Sequence, residues 1–150
     1  MTSRFFSPEG VRVLPDGVWH VGEFAIVHAP SLRFLKARLV FEDHGAFLVE
    51  GGQRLPVVVD GPAFAVTALE IDREKGEARV VLDDGTSERI TGDSLSADEK
   101  TGRVECLVRG GRARALLSRG AHQTFLAHVE QDEDGRFYLR AGLRRFPVRA

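Results

Sequence analysis

A Gly-Asp-Ser-Leu tetrapeptide at residues 92–95 is the first feature that could carry chemistry. The same motif supplies the nucleophilic serine of many lipases and esterases, where it follows the first strand of a parallel α/β domain and a downstream Asp-x-x-His provides the base. Here the motif lies late in the chain, and no histidine has an aspartate three residues before it. We therefore predict that Ser94 belongs to a polar turn and that the likeness to lipases is a coincidence.

The histidines and the single cysteine do not form a metal motif. No two of the five histidines are four residues apart, and Cys106 has no cysteine partner for a zinc site or an internal disulfide. Cys106 falls on the apolar side of a predicted strand, where a thiol acts as a small hydrophobic group. His122 shares a predicted helical face with Phe125 and Val129, so it is either a partly buried residue near the helix start or a ligand contact. We predict no metal and no cofactor.

Arginines give the sharpest chemical hypothesis. Arg109, Arg112 and Arg114 share one face of a predicted hairpin over residues 103–118, and guanidinium groups grip carboxylate or phosphate in pairs. The alternative is an ordinary solvated sheet face. Trp19, beside Gly17, is interpreted as either a core anchor or the rim of a pocket. The candidate ligand-binding residues are Arg109, Arg112, Arg114, Trp19 and His122.

The charge is balanced in sum but unevenly distributed. The chain holds 21 Lys+Arg against 22 Asp+Glu, yet residues 101–150 contain ten arginines and five acidic residues. This part therefore carries +5, which indicates either an anion-binding surface or two parts of the chain that attract each other. The basic hairpin face lacks aromatic residues on which bases could stack, so we predict that the protein does not bind nucleic acid. No apolar run is long enough to span a bilayer, and the lone cysteine suits a cytoplasmic protein.

The elements that must position these residues are short strands and two helices. Proline suits a first helical turn, and the alternation of apolar and polar residues indicates strands. We predict strands Gly17–Gly22 and Phe24–His28, helix Pro30–Glu42, strands Ala46–Glu50 and Leu55–Asp60, a meander of Ala63–Ile71, Glu77–Leu82 and Thr86–Ile90, helix Gly120–Gln131, and strands Arg136–Ala141 and Arg144–Arg149.

The hairpin over residues 103–118 has the clearest register. Gly110-Gly111 suits a two-residue turn that needs positive φ, which pairs Arg109 with Arg112. One face is then wholly apolar, and a one-residue slip would reverse the faces. The apolar face comprises Val104, Cys106, Val108, Ala113, Ala115 and Leu117.

The two ends of the chain echo each other. Residues 25–39 align with 116–130 at an offset of 91, which places Phe34 on Phe125, and residues 45–58 align with 135–149 at an offset of 90, which places Phe47 on Phe137. We therefore predict an α+β protein of two related β-α-β-β units, an internal repeat with antiparallel sheets and a central β-meander. Residues 1–92 form the N-terminal unit with the meander, and residues 93–150 form the second repeat.

Several segments resemble a bacterial family, the domain of unknown function 1285. They are Asp16-Gly17-x-Trp19-His20-x-Gly22, Asp43-His44-Gly45-x-Phe47-Leu48-Val49, Val59-Asp60-x-Pro62-x-Phe64 and the ending over residues 135–147. The resemblance spans about residues 16–148 and implies a fold of repeated α+β motifs with a role in ligand binding or signalling. This chain departs from the family at Glu50–Arg54, so a ligand contact made by that loop in relatives does not carry over to this chain.

The leading interpretation is a cytoplasmic, non-catalytic ligand-binding or interaction module in bacterial signal transduction. Its expected ligand is small and anionic, and it lies in a groove where the two repeats meet. A protein partner is the other candidate. One alternative is a small hydrolase or isomerase with its site in the same groove, and another is a structural subunit that forms a homo-oligomer through its sheet edges.

Overall fold

Strands dominate residues 10–150, the part of the chain that the computed structural model describes. They form two mixed sheets, and two helices accompany them, so the predicted α+β class is confirmed. The chain divides into two compact units, residues 1–64 and residues 65–150. The predicted boundary at residue 92 lies inside the second of these units.

The first unit places three strands before its helix and three after it. The elements are β1 (Val11–Val13), β2 (Trp19–Val21), β3 (Phe24–Ala25), α1 (Ala29–Ala37), β4 (Leu39–Glu42), β5 (Gly45–Glu50) and β6 (Gln53–Val59). Their order in the sheet is β3-β2-β1-β6-β5-β4, and β1 runs parallel to β6. Buried apolar residues from every second strand position, such as Val13, Trp19 and Leu48, form its core together with Leu35 of α1.

The second unit contains a larger sheet. Its elements are β7 (Phe64–Asp72), β8 (Glu77–Leu82), β9 (Ser87–Arg89), β10 (Leu95–Ala97), β11 (Val104–Val108), β12 (Ala113–Leu117), α2 (Arg119–His128), β13 (Val129–Gln131), β14 (Phe137–Ala141) and β15 (Arg144–Arg149). The sheet order is β13-β14-β15-β10-β11-β12-β7-β8-β9, with β10 parallel to β15. The predicted meander is confirmed as β7, β8 and β9, which pair antiparallel in sequence. Helix α2 packs against β12 and β14 through its buried Ala121 and Phe125.

The predicted register of the hairpin between β11 and β12 is confirmed. Val108 pairs with Ala113 and Cys106 with Ala115, as a turn centred on Gly110-Gly111 requires. Both glycines have positive φ, 68° and 85°, which fits a type I′ turn. All six residues assigned to the apolar face are buried.

Both helices end earlier than predicted. Helix α1 stops at Ala37, and Leu39–Glu42 forms a strand that pairs with β5; α2 stops at His128, and Val129–Gln131 pairs with β14. Leucine, valine and phenylalanine at 39–41 suit a pleated surface, and the buried Leu39 followed by the exposed Val40 has the period of a strand. Longer helices were predicted because no glycine separates each helix from the strand that follows it. The apolar residues of that strand therefore appeared to continue the helical spacing. Neither helix is long and apolar enough to cross a membrane, and this holds for the whole of residues 10–150.

The prediction of antiparallel sheets is wrong in part, because each sheet contains one parallel pair. The strands responsible are β1 and β10, which are three residues long and were not predicted. Leu95-Ser96-Ala97, directly after the turn predicted at Ser94, forms β10 between β11 and β15. A three-residue strand between two partners is specified by the ladders on either side, so its own sequence carries little signal.

Candidate functional site

Arg109 follows β11 and has an unusual backbone conformation. Its φ is 55°, the left-handed region that non-glycine residues rarely adopt. The backbone N–H of Arg109 donates to both carboxylate oxygens of Glu88, at 3.0 and 3.1 Å. The hairpin therefore turns away from regular pairing one residue early, and an anchor on β9 holds it there.

The Arg109 side chain binds two carboxylates in the same unit. Its guanidinium lies 2.8 Å from Glu88 Oε2 and 2.5 Å from Asp84 Oδ2, and the Asp84 side chain is only 2% exposed. Burial opposes ionisation of Asp84, yet its pKa is lowered because the Thr86 hydroxyl and N–H and the Arg109 charge stabilise the carboxylate. Two acids already occupy this guanidinium, so Arg109 serves the structure of the second unit.

Four other arginines lie on the outward side of this sheet, and Arg112 continues their alternation in the turn before β12. Alternation along β12, β14 and β15 sends their buried residues toward α2 and the intervening residues to the opposite side. The ladder β14-β15-β10-β11-β12 joins these positions into one surface, here termed the arginine face. It comprises Arg112, Arg114, Arg140, Arg145 and Arg149.

Two glutamates share the arginine face and neutralise part of its charge. Glu105 lies 3.2 Å from Arg114, and Glu130 lies 3.2 Å from Arg140. The five named arginines and these two glutamates together carry a net charge of +3, and Asp93 lies 4.0 Å from Arg149. The paired arginine side chains remain 46% and 43% exposed, so they stay accessible from solvent.

The aromatic residue of the arginine face is covered. Tyr138 is buried, its hydroxyl lies 3.3 Å from Glu130 Oε1, and the Arg145 guanidinium lies 4.5 Å from the centre of its ring. A cation over the ring face stabilises both groups and prevents another planar group from stacking there. The surface can therefore offer guanidinium groups but no open aromatic ring.

The other two sequence-predicted site residues lie elsewhere. Trp19 belongs to the first unit, where it is 1% exposed and its Nε1 donates to the carbonyl of Ala63 at 3.0 Å. His122 is partly buried on α2, with Nε2 3.3 Å from the Gly102 carbonyl and its ring stacked on Phe125. Of the five candidates, only Arg112 and Arg114 share the outward sheet surface.

Ser94 and Cys106 form a buried pair. Ser94 is 9% exposed, and its Oγ lies 4.0 Å from the Cys106 sulfur. Burial raises the pKa of the Cys106 thiol to about 11. A thiol with this pKa stays protonated at neutral pH and is a poor nucleophile.

Sequence reasoning missed Arg140, Arg145 and Arg149 as partners of Arg112 and Arg114. The signal was present in the arginine-rich tail and in the alternation of residues 137–149. The missing step was the parallel pairing of β15 with β10, because long-range pairing is not visible in local sequence.

In residues 10–150, no group of three or more histidine, cysteine, aspartate or glutamate side chains is arranged to hold a metal ion.

Two solved structures share this architecture. A DUF1285 family protein from Silicibacter pomeroyi DSS-3 matches with a TM-score of 0.69 and 21% identity, over 99% of this chain and 90% of that protein. The fold is that of DUF1285 proteins. A second DUF1285 family protein, from Shewanella baltica OS155, matches with a TM-score of 0.58 and 14% identity over 78% of this chain and 90% of its own.

The DUF1285-like fold expected from the sequence resemblance is thereby confirmed. No family model matches the sequence, and no curated protein matches it. At these identities the similarity establishes the fold alone, since one fold supports many functions.

Proposed function

We propose that this protein is a non-catalytic interaction module that binds an acidic protein partner through the arginine face. The observation that carries the proposal is the register, which aligns Arg114, Arg140, Arg145 and Arg149 on one outward sheet surface, with Arg112 in the turn that adjoins it. Guanidinium groups bind carboxylates bidentately and are enriched at protein interfaces. Charge complementarity would orient the partner and accelerate its approach.

The exposure of the arginine side chains on strands supports a macromolecular partner over a small molecule. Small ligands prefer concave, mostly apolar sites, whereas the arginine face is a solvated strand surface. Nucleic acid is less favoured, because single-stranded binders stack bases on open aromatic rings and Tyr138 is covered by Arg145. Acidic side chains of a protein would meet the guanidinium groups without needing such a ring.

A glutamate-rich peptide with a fluorescent label provides a direct test by fluorescence anisotropy. The variant Arg112→Ala/Arg145→Ala/Arg149→Ala should weaken binding of this peptide by about tenfold or more, because three guanidinium groups are lost from one surface. Binding should also weaken as salt increases, since exposed charges are screened.

A matched control distinguishes the loss of the arginine face from a change in the net charge of the protein. Arg33→Ala/Arg119→Ala/Arg136→Ala removes three exposed arginines outside the arginine face and changes the net charge by the same amount. This control should retain the affinity within about twofold. Equal losses in the two variants, or tighter binding of a single-stranded oligonucleotide or of phosphatidylserine vesicles than of the peptide, would overturn the proposal.

We also propose that the two units are copies of one β-β-β-α-β-β-β motif. The first sheet reads β4-β5-β6-β1-β2-β3, and part of the second reads β13-β14-β15-β10-β11-β12. In each unit the last strand runs parallel to the first, with Val57 opposite Val11 and Val148 opposite Leu95. A common origin explains this shared order more simply than two independent solutions.

The correspondence follows burial and register better than residue identity. The buried apolar residue at mid-helix is Leu35 in α1 and Phe125 in α2, an offset of 90. Phe47 pairs with Pro56, and Tyr138 pairs with Pro147, an offset of 91. A crystal structure in which the seven elements of one unit did not superpose on their counterparts in the other would contradict the duplication.

The cellular setting belongs to the same proposal. A single buried cysteine without a disulfide suits the reducing cytoplasm, and a charged docking surface suits bacterial signal transduction. Localisation of a tagged chain by cell fractionation would test the first point. Recovery of the tagged chain with membranes or in the periplasm would contradict it.

A further inference from the structure

A small polar cavity lies where two turns meet the C-terminal end of α2. Its volume is about 370 Å³, and it is lined by Arg73, Ala127, His128, Glu130, Arg140 and Gly142. Gly142 begins the turn between β14 and β15, and a Cβ at this position would lie 2.2 Å from the carbonyl oxygen of Arg73. Only glycine permits so close an approach, so this contact fixes the position of Arg73 beside the cavity.

His128 presents a defined tautomer to the cavity. Its Nδ1 lies 2.9 Å from the carbonyl oxygen of Thr124, which can only accept, so Nδ1 carries the proton of the neutral ring. The other nitrogen, Nε2, lies 3.5 Å from Nη2 of Arg73. His128 therefore helps to orient the Arg73 side chain beside the cavity.

Arg140 also lines the cavity and is held by two contacts. Its Nε donates to the carbonyl of Gly142 at 2.9 Å, and Nη1 donates to Glu130 at 3.2 Å. Glu130 also accepts from the Tyr138 hydroxyl at 3.3 Å. The lining therefore contains two guanidinium groups and one carboxylate.

The end of α2 works against an anion, and the arginines outweigh it. The C-terminal end of a helix carries partial negative charge, whose effect is modest and screened at exposed sites. Hydrogen bonds from a guanidinium to an oxyanion are about twice as strong as neutral ones, and two arginines supply several of them. Size also favours a small ligand, because the volume lies at the lower end of the range for small-molecule sites.

We propose that this cavity binds a small oxyanion, a carboxylate or phosphate group gripped between Arg73 and Arg140. His128 and Gly142 act as positioning residues for Arg73, and Glu130 holds Arg140. The proposal is independent of an acidic protein partner, although Arg140 belongs to both surfaces. Arg73 is therefore the residue that tests it.

Inorganic phosphate and acetate are suitable probes, with the neutral sugar glucose as a control. Titration followed by NMR should move the imidazole signals of His128 with phosphate or acetate and leave them unmoved with glucose. Arg73→Ala and Arg73→Gln should each weaken binding by about tenfold or more, because a charged hydrogen-bond donor is lost. The Gln variant keeps most of the side-chain volume, so it separates charge from packing.

Arg136→Ala is the matched control, since Arg136 is exposed on the turn before β14 and does not line the cavity. It should bind phosphate as the unmodified protein does, and so should Arg145→Ala/Arg149→Ala, which impairs only the arginine face. Unmoved His128 signals at tens of millimolar anion, or equal affinity in Arg73→Gln and Arg136→Ala, would overturn the site. Loss of phosphate binding in Arg145→Ala/Arg149→Ala would also overturn it, by assigning the anion to the arginine face.

Discussion

The outward sheet surfaces of the two units differ sharply at related positions. In the first unit, Val40, Val49 and Val58 face outward and are between about a third and a half exposed. The positions that correspond to them by strand register in the second unit hold Glu130, Arg140 and Arg149. At these three positions, one surface presents valine methyl groups and the other presents charged groups.

The surroundings of these positions are alike. Arg54 lies over the ring of Phe47 at 4.2 Å, and Arg145 lies over the ring of Tyr138 at 4.5 Å. Each aromatic residue pairs with a proline on the neighbouring strand. In both sheets, therefore, an arginine covers an aromatic ring on the outward surface, whereas the residues around this pair differ. The comparison teaches that the interior pattern sets the fold while the outward positions are free to set the partner.

The largest effects should come from the interiors, where the two units are most alike. Leu48 and Leu139 are both fully buried at the centres of β5 and β14. Truncating either to alanine leaves a cavity and should destabilise its unit by about 2–5 kcal/mol. Urea unfolding combined with hydrogen exchange of the strand amides would measure both losses.

Val49→Ala and Arg140→Ala are the matched surface controls, one residue along each strand. They should each cost less than about 1 kcal/mol, since both side chains are exposed. If Leu139→Ala proved as mild as Arg140→Ala, the second unit could not have the interior described for it. The two cores would then differ in how much these buried leucines stabilise them.

The sequence predicted best where alternation was strong and pairing was local. The hairpin of β11 and β12 has six small apolar residues on one face and a Gly-Gly turn, and its register followed from these alone. The meander and the α+β class also followed from local patterns. In the same way, the buried side of Cys106 was correctly predicted from its place in the alternation.

The failures share one cause, which is distance along the chain. Val11 pairs with Val57, and Leu95 with Val148, and no local pattern reveals such contacts. Without these parallel pairs, Arg149 could not be placed beside the hairpin arginines. Arg109 shows the same limit, because its carboxylate partners, Glu88 on β9 and Asp84 in the turn before it, are over twenty residues away. The hairpin sequence alone predicted that Arg109 binds a ligand, and it gave no sign that Asp84 and Glu88 lie beside the guanidinium.

Arg109 and an exposed arginine of the same hairpin can be compared by their effects on the stability of the second unit. Arg109→Ala removes the cation from the buried Asp84 carboxylate and should destabilise the second unit by about 2–4 kcal/mol. Arg112→Ala, three residues on and exposed, should cost less than about 1 kcal/mol. Thermal unfolding of the two variants side by side would measure the difference. Similar losses would show that Arg109 has no special structural role.

The pH dependence of unfolding tests the same contact. The pKa of Asp84 is lowered in the folded chain, so its stabilising contribution is complete above the unfolded pKa, about 4, and is lost as the pH falls through the lower folded pKa. Asp84→Asn should therefore lose less stability than the unmodified protein between pH 6 and pH 3. Asp93→Asn, at an exposed site, is the control and should follow the unmodified protein. An unchanged acid slope in Asp84→Asn would contradict the contact.

The smallest expected effect concerns the feature that the two outward surfaces share. Arg54→Ala and Arg145→Ala each remove a guanidinium from an aromatic ring, and each should cost about 0.5–1 kcal/mol. Double-mutant cycles with Phe47→Leu and Tyr138→Leu isolate the contact itself, because Arg54 also pairs with Glu42 and Tyr138 also bonds to Glu130. Coupling energies of similar size in the two units would mean that cation and ring form one structural device used twice. Coupling in the second unit alone would mean that Arg54 is held by Glu42 and not by the ring of Phe47. The two surfaces would then share the geometry of this contact but not its stabilising energy.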